Sequence, residues 1–98
     1  MSLVAKLEKE EEATIAKWCI KNGVNFIKFT PMGARGYPDR IVILPGGKHI
    51  WIELKRRGKK PRPLQTYRMH QLTEQGAEAL WFDNAEDCID YLKEELNQ

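Results

Sequence analysis

No stretch of this sequence approaches the roughly 18 consecutive apolar residues that a membrane-spanning helix needs. Its opening residues, 1–12, are charged where a secretory leader would be apolar. Both absences lead to the expectation of an intracellular, cytoplasmic protein with no membrane partner. Cysteine is scarce too: Cys19 and Cys88 stand alone, with no C-x-x-C pair and no Cys/His cluster. Free, buried thiols are expected from them rather than a disulfide or a zinc site. His49 and His70 lack metal-ligand spacing to each other or to the cysteines and are assigned to surface or packing. No glycine-rich phosphate loop precedes a helix, since Gly33, Gly36, Gly46 and Gly47 mark turns, and nothing calls for an organic cofactor. Repeats, low-complexity tracts and linkers are also missing. With 98 residues the chain has room for one core, so a single domain spanning 1–98 is expected.

What is present is an ordinary globular composition, 42% hydrophobic and 31% charged, too apolar for disorder. The net charge of +2 conceals a strong asymmetry. Residues 1–12 carry two Lys against four Glu, and residues 74–98 carry Lys93 against eight acids. Between them, thirteen Lys and Arg face only Asp39 and Glu53. A middle this basic suits a polyanionic partner, because each cation that neutralises a phosphate releases a condensed counterion. It equally suits a solvated surface that pairs with the acidic tail.

Periodicity orders the elements as α-β-β-β-α-β-α. Residues 3–22 place Leu7, Ile15, Trp18 and Cys19 at helical spacing and stop at Asn22-Gly23. A short β-branched and aromatic run at 24–29 enters a loop at 30–38 that two glycines and two prolines define, expected to be mobile. Residues 40–44 and 48–54 flank Pro45-Gly46-Gly47 as a hairpin. After a basic loop at 56–62, Pro63 opens a helix that stops at Gly76. A brief strand at 79–82 precedes Asn84, a good N-cap for a helix from Ala85 to about Leu96. The fold class is α/β, a mixed sheet flanked by helices.

The hairpin carries the candidate chemistry. Glu53 and Lys55 stand two apart on the third strand and share a sheet face. Asp39 lies directly opposite Glu53 if Leu44 faces Lys48 across a three-residue Pro45-Gly46-Gly47 loop. That register gathers Val42, Leu44, Ile50, Ile52 and Leu54 on one apolar face, leaving Asp39, Glu53, Lys55 and Trp51 on the other. A two-residue loop would separate the carboxylates. Two converging carboxylates make a hard-oxygen site for Mg²⁺ or Mn²⁺, and a neighbouring lysine can orient water, which together suit phosphodiester hydrolysis. Taken alone, the same residues also fit a turn cap and two solvated neighbours.

Gly36-Tyr37-Pro38-Asp39, then Ile52-Glu53-Leu54-Lys55, then Pro63-Leu64-Gln65 opening a helix together resemble the signature of the VRR-Nuc family of PD-(D/E)XK nucleases. The thirteen residues between Asp39 and Glu53 fit that superfamily's hairpin, and the resemblance covers nearly the whole chain. It implies a restriction-endonuclease-like core and a stand-alone protein of phage or bacterial type. It assigns Asp39, Glu53 and the Leu54 carbonyl to the metal, Lys55 and Gln65 to catalysis alongside them, and a further metal ligand to an acid of the first helix. Glu12 best continues that helix's buried stripe, with Glu11 close behind and Glu8 also open. Where family members commonly place a small residue before Pro-Leu-Gln, this chain has Arg62.

Between 55 and 68 seven basic residues occur without one acid. Arg56, Arg57, Lys59, Lys60 and Arg62 from this block are expected to contact DNA phosphates, joined by Arg35 and Arg40 from around the loop. No base-reading motif accompanies them, so shape is the expected basis of selection. The resulting expectation is a homodimeric, Mg²⁺- or Mn²⁺-dependent endonuclease on branched DNA such as Holliday junctions, serving repair or recombination. A non-catalytic nucleic-acid-binding module is the alternative, and an adaptor using the acidic tail is a third reading.

Overall fold

The computed structural model describes the backbone of residues 3–98 and the side chains from Lys9 onward. Three helices and four strands follow in the order α1 (Leu3–Lys21), β1 (Asn25–Lys28), β2 (Arg40–Ile43), β3 (His49–Leu54), α2 (Pro63–Glu74), β4 (Glu78–Phe82) and α3 (Ala85–Leu96). This is the α/β order expected, with the first three strands trimmed by a residue at one or both ends and the fourth starting one residue earlier. The strands form one sheet in the order β1-β2-β3-β4, antiparallel through β3 and parallel between β3 and β4. The mixed pairing follows from chain length: five residues turn β2 into β3, whereas β3 reaches β4 only by way of α2.

The hairpin has the register that opposes the carboxylates. Val42 pairs with Ile50 and Arg40 with Ile52, and the Leu44 amide donates to the Lys48 carbonyl at 2.9 Å. Gly46 and Gly47 both take positive φ, +97° and +95°, which is why this tight turn uses glycine. At its tip, Lys48 Nζ pairs with Glu95 at 2.7 Å and Glu78 at 3.0 Å, joining hairpin, β4 and α3. Part of the acidic tail is thus spent on the basic middle of the chain.

The main core lies on one side of the sheet. Ile15 and Cys19 of α1, Val42, Ile50 and Ile52 of the hairpin, and Cys88 and Leu92 of α3 are fully buried together. Burial of each large aliphatic among them contributes roughly 1.5–3 kcal/mol. Both cysteines are free, and burial pushes the Cys19 thiol up to about 11 and the Cys88 thiol up to about 12, with Cys19 adding to the latter. The Asn84 side chain caps α3 by accepting from the Asp87 amide at 2.8 Å, while Glu86 and Asp87 face the helix dipole in the first turn. Strand alternation turns Trp51 and Glu53 to the other side, where α2 packs. There Trp51 meets Phe29 edge-on with ring centroids 5.1 Å apart. Among the described residues, no helix is long and apolar enough to cross a membrane.

Candidate active site

Asp39 sits one residue before β2, where its carbonyl accepts from the Phe29 amide at 2.9 Å and prolongs the β1–β2 ladder. Its own amide donates to Glu53 Oε2 at 3.2 Å, so the two acids meet across the mouth of the hairpin. Glu53 is only 6% exposed. Lys55 follows the end of β3, held there by its amide donating to the Phe82 carbonyl at 2.9 Å. Leu54 lies between Glu53 and Lys55 as the last residue of the strand.

Gln65 joins these groups. Its Nε2 donates to Glu53 Oε1 at 3.0 Å, while its Oε1 accepts from Lys55 Nζ at 3.4 Å and from the Arg62 amide at 2.8 Å. The last contact is one half of a capping box, in which the third residue of a helix reaches back to the N-cap amide. Arg62 supplies no side-chain cap here; the Gln65 side chain instead accepts from the Arg62 backbone amide, which a residue of any type but proline at 62 can donate. One side chain closes α2 and locks a carboxylate beside a lysine.

Burial and the adjacent Asp39 charge push Glu53 up to about 7, against the pull of Lys55, the Asp39 amide and Arg40. Asp39 and Glu53, two carboxylates held at the mouth of one hairpin, form a hard-oxygen donor set that fits a divalent cation. Among the described residues, no third His, Cys, Asp or Glu converges to complete a three-ligand cluster. Glu11 and Glu12 of α1 are each paired with an arginine. Glu12 forms an ion pair with Arg40, and Glu11 Oε1 lies 2.6 Å from Arg57 Nη2. Both still line a small cleft with Leu54 and Lys55, so α1 approaches the site, although among the described residues it brings no third carboxylate to Asp39 and Glu53. The Glu8 side chain lies outside the described residues.

The loop at 30–38, expected to be mobile, is instead fastened to α2. Arg68 Nε donates to the Arg35 carbonyl at 3.0 Å, and its guanidinium lies 4.6 Å from the Tyr37 ring centroid. Tyr37 tilts against Trp51, and Pro38 is fully buried. Gly36, at φ +84°, passes so close to Leu64 that a Cβ there would lie 2.6 Å from Leu64 Cγ. Sequence reasoning counted Arg68 only as one more charge. Its place three residues beyond Gln65 put it on the flank of α2, but its loop partners are more than thirty residues away.

Of the expected phosphate contacts, Arg56, Lys59, Lys60 and Arg62 line an open groove of about 510 Å³ with Lys55. Arg57 belongs to the same loop but is turned to Glu11. Arg35 is exposed. Arg40, by contrast, is 8% exposed, because as cross-strand partner of Ile52 it faces the core side of the sheet. It is held there by Glu12 and, at 3.4 Å, by Asp39.

The sheet with its flanking helices, and a carboxylate pair at the hairpin mouth, define a small α/β protein with a nuclease-like acid-and-lysine constellation. Two solved structures share this fold. One described as "VRR_NUC domain" matches 85% of this chain and 95% of its own, with a TM-score of 0.72 and 24% identity. Another, described as "VRR_NUC domain protein", matches 90% of this chain and 86% of its own, with a TM-score of 0.71 and 20% identity. The chain has the VRR_NUC fold, as its motifs implied. In sequence, 57 residues are 42% identical to "Putative nuclease p44" of Acyrthosiphon pisum secondary endosymbiont phage 1, spanning 58% of this chain and 61% of that protein. No family model matches the sequence.

Proposed function

We propose that this protein is a divalent-metal-dependent DNA nuclease that hydrolyses phosphodiester bonds. The observation that carries the reading is the apposition of Asp39 and Glu53 with Gln65 bridging Glu53 to Lys55. Asp39, Glu53 and the Leu54 carbonyl would hold Mg²⁺ or Mn²⁺. Such an ion, when bound, acidifies water and stabilises charge on the phosphate oxygens. Lys55 positions the attacking water, whose oxygen bonds to phosphorus as the P–O bond to the departing sugar breaks. Gln65 fixes the Lys55 amine relative to Glu53. Glu12 enters through Arg40, holding that guanidinium against Asp39 and keeping the carboxylate in place. The groove at 55–62 holds the phosphate backbone.

The substrate of this reading is branched DNA, including four-way junctions, and the working form is a homodimer whose two sites cut symmetry-related strands. The shared VRR_NUC fold and the name of the phage relative support the nuclease class. Wild-type and Asp39→Ala protein should be incubated with labelled four-way junction, flap, single-stranded and linear duplex DNA in Mg²⁺, Mn²⁺ or EDTA. Cleavage by the wild type alone, abolished by EDTA, is the expected result. Equal metal-independent binding by both proteins without cuts would instead identify a non-catalytic binding module. Sedimentation of the free protein tests the dimer.

A further inference from the structure

A second basic groove, of about 460 Å³, lies between α1 and β1. On α1 its wall is Lys9, Glu12, Ala13 and Ala16, whose spacing of three, four and seven residues puts them on one helix face. On the sheet its floor is Phe26 and Lys28, two apart and therefore on one strand face, with Arg40 beside them. Lys28 and Arg40 are direct cross-strand partners, a juxtaposition of like charges that disfavours the sheet unless an anion is near. Among the described residues Glu12 is the one acid lining the groove, and it pairs with Arg40. Lys9 and Lys28 are left facing solvent with no acid assigned to them among the groove residues.

We propose that this groove binds the phosphates of a second DNA backbone segment, one that does not run through the groove at 55–62. Lys9 and Lys28 take the phosphates, and the Phe26 ring with the two small alanines leaves an apolar floor for the sugar edge. Arg40 joins the groove to the candidate active site through its contacts with Asp39. Two segments follow from the placement of α1, whose consecutive acids diverge, Glu12 toward Arg40 and Glu11 toward Arg57 in the other basic loop. The α1–β1 groove and the 55–62 loop thus lie off different flanks of the helix. This inference rests on the nuclease reading and deepens it, since a protein that grips two backbone segments selects DNA in which two segments converge.

The test is equilibrium binding in EDTA, where no cutting intervenes, by fluorescence anisotropy over a range of salt. Wild type is compared with the Lys9→Gln, Lys28→Gln double variant and with a Lys59→Gln, Lys60→Gln double variant. Each is titrated with a four-way junction and with a linear duplex too short to reach both grooves. The α1–β1 variant should lose roughly tenfold in junction affinity, flatten the slope of log K against log salt by about 1.8, and bind the short duplex within about twofold of wild type. The 59/60 variant should weaken on both DNAs. Unchanged junction affinity in the α1–β1 variant, or an equal loss on both DNAs, would overturn the proposal. Matching thermal melts of wild type and variant assign the difference to groove charge. Failure of wild type to cleave with metal would sink the nuclease reading, while these binding curves would still decide the groove.

Discussion

Gln65 touches Glu53 with the nitrogen of its side-chain amide and Lys55 with the oxygen, so one residue of α2 sets the spacing of two groups carried by β3. Replacing it by alanine should leave the fold in place but free the lysine from the carboxylate. We expect Gln65→Ala to lose roughly 10- to 100-fold in cleavage rate or Mn²⁺ affinity, as is typical when a group supporting a ligand is removed. Single-turnover kinetics and metal titration separate the two effects, and an unaltered rate with unaltered metal affinity would show that Gln65 serves only the helix cap.

Glu53 gives the metal-free protein a distinctive pH dependence. Its acid is held at about 7 against an ordinary 4.5, so the folded state keeps a proton that the unfolded chain has already released between those values. Folding is therefore favoured below pH 4.5 with respect to this group, and stability falls as pH rises toward 7, on the order of 2 kcal/mol. Thermal melts in EDTA should show this decline, and Glu53→Gln should flatten it. Added Mg²⁺ should raise stability most at the alkaline end, where the carboxylate is ionised and able to bind it.

Gly36 combines positive φ with contact against Leu64, so Gly36→Ala meets both a backbone penalty and a collision. A loss of about 1–3 kcal/mol in denaturant unfolding is expected. The companion variant Leu64→Ala removes the collision but not the backbone penalty, and should restore part of the loss in the double mutant. Additive losses in that cycle would mean the contact is unimportant.

Cys19 and Cys88 are fully buried with thiols pushed far above neutral pH. Neither should react with iodoacetamide in the native state at pH 8, and both should react once the chain is unfolded in urea. Rapid native labelling of either would contradict the core described above.

Much of the hairpin was legible because its determinants are local. Pro45-Gly46-Gly47 and the alternation of Val42, Leu44, Ile50 and Ile52 fix the register, and the register fixes Asp39 against Glu53. The Asn84 cap was readable for the same reason. Arg40 shows a signal that went unused: it alternates in phase with Val42 and Leu44, so the pattern that defined the apolar face also turned Arg40 toward it. The choice among the α1 acids was not legible, since neighbouring helix positions differ by about 100° and the rotation of α1 on the sheet is set by distant packing. The same distance hid Arg68, whose role depends on a loop from another part of the chain.

The ion pairs of Lys48 with Glu78 and Glu95 hold the far tip of the hairpin, about 20 Å along the six residues of β3 from its other end. Pairing along a strand is a rigid count: sliding β3 by a single residue would send Glu53 into the aliphatic layer and bring Ile52 out to the face that carries Asp39. The glycine turn and its lysine anchor thus act as the zero mark of a ruler whose other end is the carboxylate pair. Lesions at the tip, far from the carboxylate pair, should therefore disturb that pair by misreading the ruler.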